Sequence, residues 1–145
     1  MSFQSIRQEI KDVIDTESDL IQVTYLTNRS TFEGFPACVI TPSESQADYG
    51  STHRDKVTYT YDVKVYYPIK DEEAQEEVDL RLEKVVDELL DIFKSRNVLG
   101  SVCDWVEPAP SAWGQSTASE TPYRMASISL RCIKHIDNTT VVNNS

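Results

Sequence analysis

The chain has 145 residues, enough for one domain that buries most of its apolar surface without disulfides or a metal. Its 24 acidic and 14 basic side chains leave a net charge of −10, a field that repels phosphate and excludes tight sequence-independent binding to DNA or RNA. No stretch approaches the roughly 20 apolar residues that span a bilayer, and Met1 to Ile10 lacks the apolar run of a secretion signal, so the expectation is a soluble, unsecreted protein with no membrane partner.

Phe3, Ile6, Ile10, Val13 and Ile14 recur at three- and four-residue steps, which predicts an amphipathic helix with Ser2 as its N-cap. After a polar turn, Leu20 to Leu26 is β-branched and aromatic, with Ile21, Val23 and Tyr25 alternating as in a strand. Pro36 to Thr41 predicts a brief buried or edge strand, and Pro42 to Asp55, rich in Ser, Asp and Gln, predicts a long loop.

The clearest strand is Lys56 to Tyr67. Val57, Tyr59, Tyr61, Val63, Val65 and Tyr67 share one face, and Thr58, Thr60, Asp62 and Lys64 the other, which is expected to be wet. A long helix from about Asp71 to Arg96 follows, with Val78, Leu82, Val85, Val86, Leu89, Leu90 and Phe93 as its apolar stripe. Lys70 to Asp91 alone holds ten acids and three bases, so this element carries most of the negative field.

Ser101 to Val106 predicts a strand interrupted by Pro108 and Pro110, and Ser111 to Thr121 a small-residue loop holding Trp113. Tyr123 to Ile136 alternates again and predicts a last strand. Together these elements define an α+β fold: a mixed, mainly antiparallel sheet packed on an N-terminal helix and one long amphipathic helix, with a long loop and a C-terminal arm. Residues 1–136 form the domain, and the polar residues 137–145 the arm.

Chemistry-bearing motifs are absent. There is no GxGxxG or GxxxxGK, and Gly34, Gly50, Gly100 and Gly114 stand alone, so no phosphate cradle and no cofactor are expected. Cys38, Cys103 and Cys132 are widely spaced, as free thiols in a reducing compartment are. Cys132 and His135 have the spacing of half a metal site without a second half, and His53 lies in the polar loop, away from any thiol by sequence. The acids of the long helix lie on one wet face and lack the contrasting environments that acid/base catalysis needs. No catalytic residues are assigned, and the expectation is a protein that is not an enzyme.

The contact candidates are Tyr49, Tyr66, Trp105, Trp113, Val141 and Val142. Tryptophans flanking a Pro-containing stretch are candidate interface anchors, but the reading the sequence favours is Trp105 packed in the core and Trp113 capping a sheet edge. Tyr66, off the main apolar face, fits either core or contact. Glu76, Asp79, Glu83 and Asp87 are the candidate acidic surface.

In order, these elements resemble the tail terminator and tail-completion (neck) proteins of long-tailed bacteriophages. The resemblance is one of layout and covers nearly the whole chain. It is carried by the N-terminal helix of the type Ser5-Ile-Arg-Gln-Glu-Ile10, the Gly34-Phe35-Pro36 turn, the long strand Val57 to Tyr67 running into a helix, the closing strand Arg124 to Ile133 and the polar arm. It implies a homo-oligomeric, hexameric ring in the virion tail or neck, assembled in the host cytoplasm. The implied partners are the tail tube protein and the head connector or stopper, and DNA passes without specific binding. The alternative is an acidic protein-binding module or inhibitor that acts through its long helix, and a third reading is an enzyme whose site is assembled between subunits.

Overall fold

In a computed structural model, the described residues are 3–29, 31–43, 50–53, 56–69, 75–95, 103–116 and 122–135. The elements run α1 (Phe3–Glu17), β1 (Val23–Tyr25), β2 (Ala37–Pro42), β3 (Gly50–His53), β4 (Lys56–Pro68), α2 (Gln75–Ser95), β5 (Trp105–Ser116) and β6 (Tyr123–His135). The fold is α+β. One mixed six-stranded sheet has the order β1-β2-β4-β6-β5, with β3 pairing the first part of β4 on the side that β2 occupies further along. Only the β1–β2 pair is parallel.

Both helices pack on one face of the sheet. Ile6, Ile10, Val13 and Ile14 of α1 and Val78, Leu82, Val85, Val86, Leu89 and Phe93 of α2 are buried, each set on the stripe that its three- and four-residue spacing dictates. They meet Cys38 and Ile40 of β2, Tyr61, Val63 and Val65 of β4, Val106 of β5, and Ala126, Ile128, Leu130 and Cys132 of β6. The register explains this choice, because Tyr61, Val63 and Val65 sit opposite Leu130, Ile128 and Ala126, so the apolar alternations of the two longest strands coincide on one face.

Several sequence expectations are corrected. The loop expected over Pro42 to Asp55 contains strand β3, a Gly-Ser-Thr-His segment with no apolar residue to announce it. In β1 the buried residue is Thr24, not Val23 or Tyr25, because α1 covers the side on which Thr24 lies. The break expected at Pro108 and Pro110 does not occur, and Trp105 to Ser116 is one strand with an irregularity between Pro110 and Trp113. The second face of β4 is not simply wet either, since Thr58 and Thr60 are buried there. Tyr49, Val141, Val142 and the arm lie outside the described residues, as do 71–74 and 96, the ends expected for the long helix.

α1 is tied to α2 by Glu88. Its carboxylate accepts hydrogen bonds from the Ser18 hydroxyl and from the Asp19 backbone N–H (3.1 Å), while Ser18 Oγ accepts from the Ile21 N–H at 3.1 Å. The polar turn after α1 is thereby fixed to the middle of α2. Glu88→Ala strands these donors at a half-buried position and is expected to cost about 1–2 kcal/mol in urea unfolding, whereas Glu83→Ala on the exposed face should stay within about 0.5 kcal/mol. Equal effects of the two substitutions would show that the clamp carries no weight.

Candidate interaction surfaces

Among the described residues, β5 is a lateral edge of the sheet, paired with β6 alone. Pro108 and Pro110 stand opposite Leu130 and Ile128. Proline has no N–H to give a ladder, so these must be non-hydrogen-bonded positions whose backbone groups point away from β6. The outer edge therefore lacks two donors where an added strand would need them, which blocks strand addition along this part of β5.

What the edge offers instead is side chains. Trp105 and Trp113 are each 45% exposed. They lie on opposite faces of the sheet: Trp105 pairs with Ile133 on the helix-free side, and Trp113 with Ala126 on the helix side. Neither is a core residue. Arg124 braces the second site. Its Nε donates to Asp79 Oδ1 at 2.8 Å, Nη1 donates to the Gly114 carbonyl at 3.4 Å, and the guanidinium carbon stands 6.0 Å from the Trp113 ring. The irregularity before Trp113 is held by the Ala112 N–H, which donates to Ser127 Oγ at 3.2 Å.

Tyr66 belongs to an aromatic cluster at the end of the sheet where β4 finishes. Its ring stacks on Phe32 at 5.0 Å, and Phe32 and Phe35 both meet Tyr123, at 5.2 and 5.6 Å. It is half-buried, and burial, with a smaller contribution from Cys38, raises its phenol above the ordinary range. Of the two sequence readings of Tyr66, packing is the one this geometry favours. Gly34 lies between Phe32 and Phe35 where a Cβ would lie 3.3 Å from the Gln22 Cβ, so the turn passes close to that segment.

The proposed acidic surface divides. Glu76, Glu83 and Asp87 are exposed along the outer side of α2, while Asp79 is half-buried and bound to Arg124. Charge is segregated by layer: α1 and α2 together hold eleven acids and five bases, whereas the six strands hold two acids and five bases. The helical layer is thus acidic and the sheet mildly basic, a division that sequence order hides.

Between α2 and the segments leading into β1 and β2 lies a groove of about 520 Å³, lined among others by Leu20, Phe35, Pro36, Leu80, Arg81 and Lys84. Leu20 and Leu80, 38% and 52% exposed, are its open apolar wall. Arg81 is held by Glu77 at 3.1 Å, which raises its already high pKa, and its guanidinium lies 5.6 Å from the Tyr67 ring. No sequence pattern announces this groove, because its α2 wall lies about forty to fifty-five residues along the chain from the other two segments that line it.

Among the described residues no group of three or more His, Cys, Asp or Glu is placed to hold a metal ion, and no helix is long and apolar enough to cross a membrane. The three thiols are buried. Cys132 is held protonated by a hydrogen bond with Cys103 and by burial, and Cys38 by burial and the nearby Asp15, the opposite of what a nucleophile requires. Compared with known proteins, the chain matches no family model and no curated sequence.

Proposed function

We propose that the protein is a structural, non-enzymatic subunit of a phage tail: a tail terminator whose hexameric ring caps the tail tube, joins it to the head connector and lets DNA pass. The observation that carries this reading is β5, an edge strand among the described residues, which exposes a tryptophan on each side of the sheet. Exposed tryptophan at a rigid edge is an anchor for another protein. The acidic helical layer fits a channel protein as well, since it repels the phosphates of a passing duplex. The resemblance in layout noted from the sequence is the further support for this reading.

Light scattering coupled to size exclusion is expected to give a discrete oligomer, negative-stain images to show rings, and tail tubes mixed with the protein to acquire caps. A strict monomer that never caps a tube would sink the proposal. A second reading is favoured by Glu76, Glu83 and Asp87 standing exposed on one side of α2: a module that occupies a basic site on a partner protein. Reversing Glu83 and Asp87 to lysine separates the two, because ring formation survives under the first reading and partner binding is abolished under the second.

A further inference from the structure

Three thiols lie in the buried cluster between the helices and the sheet, and the fold holds two of them together and the third apart. Cys132 is on the helix side of β6, opposite Val106 of β5. Cys103 stands just before β5, where the next residue, Asp104, donates its backbone N–H to the Ile133 carbonyl at 2.9 Å. That bond seats the chain at Cys103 beside the Cys132–Ile133 stretch of β6, and the two buried thiols are hydrogen-bonded to each other.

Register keeps Cys38 away. It pairs with Val65 on β4, and Val65 pairs with Ala126 on β6, six residues before Cys132. Two inter-strand steps and six residues of strand put Cys38 about 20 Å from Cys132, whereas a disulfide needs Cα atoms within about 7 Å. Cys103, which leads into the strand beyond β6, is no nearer to Cys38.

We infer that Cys103 and Cys132 are a latent disulfide pair, a covalent modification site at which the fold favours a bond between the start of edge strand β5 and the strand beside it, while Cys38 stays a thiol. The oxidant is a small-molecule disulfide such as oxidised glutathione. Neither thiol meets solvent in the folded state, so exchange proceeds when the margin opens, and β5 opens more readily than the centre because β6 is its one strand partner among the described residues. The thiolate of one cysteine then attacks the glutathione disulfide, forming a mixed disulfide and releasing a glutathione thiolate; the thiolate of the other cysteine displaces the second glutathione. Two cysteine thiols are oxidised, one glutathione disulfide is reduced, and the two protons lost by the cysteines end on glutathione.

The bond closes a loop over residues 103–132 and fixes the start of the strand that bears Trp105. Cross-linking a loop of this length is expected to lower the unfolding equilibrium constant by about a hundredfold. Linkage makes the effect reciprocal, so folding favours the bond over the unfolded chain by the same factor.

Diluting the reduced, unfolded full chain into graded glutathione buffers at about pH 8, either free of urea or holding it, measures that factor. Acid-quenched samples, alkylated and digested without reduction, are expected to yield a Cys103–Cys132 linked peptide and an alkylated Cys38. The linkage constant should be about a hundredfold higher without urea than in it, and the linked protein should unfold at a higher urea midpoint than the reduced one. Cys38→Ala should link equally well. A linkage ratio near one, glutathione adducts without a link, a bond to Cys38 in the urea-free buffer, or equal urea midpoints for the linked and reduced protein would each overturn the inference.

Discussion

Phe93→Ala is expected to destabilise the protein by about 3–5 kcal/mol, the largest effect of any single truncation on α2. Phe93 is completely buried in the last turn of that helix, within the cluster that joins both helices to the sheet. Removing its ring takes away both the transfer free energy of the side chain and the contacts around it, and a close-packed core shared by two helices and a sheet collapses only partly into the space. Urea unfolding should show a lower midpoint with an unchanged slope. Leu80→Ala, one apolar residue for another on the same helix, should change the free energy of the isolated protomer by less than about 0.5 kcal/mol, because Leu80 is 52% exposed. A Phe93→Ala loss near 1 kcal/mol would mean that the core repacks far more freely than this arrangement allows.

The contrast between Phe93 and Leu80 illustrates what was legible in the sequence. Phe93 falls on the 78-82-85-86-89 stripe, and its burial follows from helical spacing alone. β4 and β6 were equally legible, because their alternations are long and coincide once the strands pair. β5 was not. Proline inside a segment ordinarily argues against a strand, and only pairing on one side, with both prolines turned outward, makes this strand possible. β3 has no apolar signal at all and exists because β4 offers it a partner beyond the reach of β2.

Of the candidate surfaces, the exposure of most helix acids followed from residue type and position, whereas the sequence left Trp105 between core and contact and only the strand register places both tryptophans outside the core. The bond from Arg124 to Asp79 links residues 45 apart and removes one acid from the exposed set, which no local pattern predicts. The groove is likewise a product of chain reversal: residues near 20, near 35 and near 80 converge only after α1 and α2 have packed side by side on the sheet. The Glu88 clamp belongs with them, a contact across seventy positions of sequence.

The second large effect is a loss of stability in alkali. Cys38 and Cys132 are fully buried, and both thiols are held well above their ordinary range, Cys38 by burial and Cys132 by its hydrogen bond with Cys103 followed by burial. Tyr61, also buried, is raised chiefly by burial and next by Cys132. Each group stays protonated in the folded protein while its unfolded counterpart ionises, at about pH 8.5 for a thiol and about 10 for a phenol. The folded state then binds more protons than the unfolded one, so stability is complete below about pH 8 and falls as pH rises. Each thiol contributes a loss on the order of 1 kcal/mol per pH unit above its unfolded value, so the pair lowers stability by roughly 2 kcal/mol between about pH 9 and 10, and Tyr61 adds to the slope beyond that. Urea unfolding under reducing conditions at about pH 7.5, 8.5 and 9.5 measures it, and Cys38→Ala should flatten the upper slope by about half. The same burial should keep the native thiols silent to an aromatic disulfide reagent across this range. Stability that stays level to about pH 9.5 while the native thiols react would place them in water instead of beneath the helices.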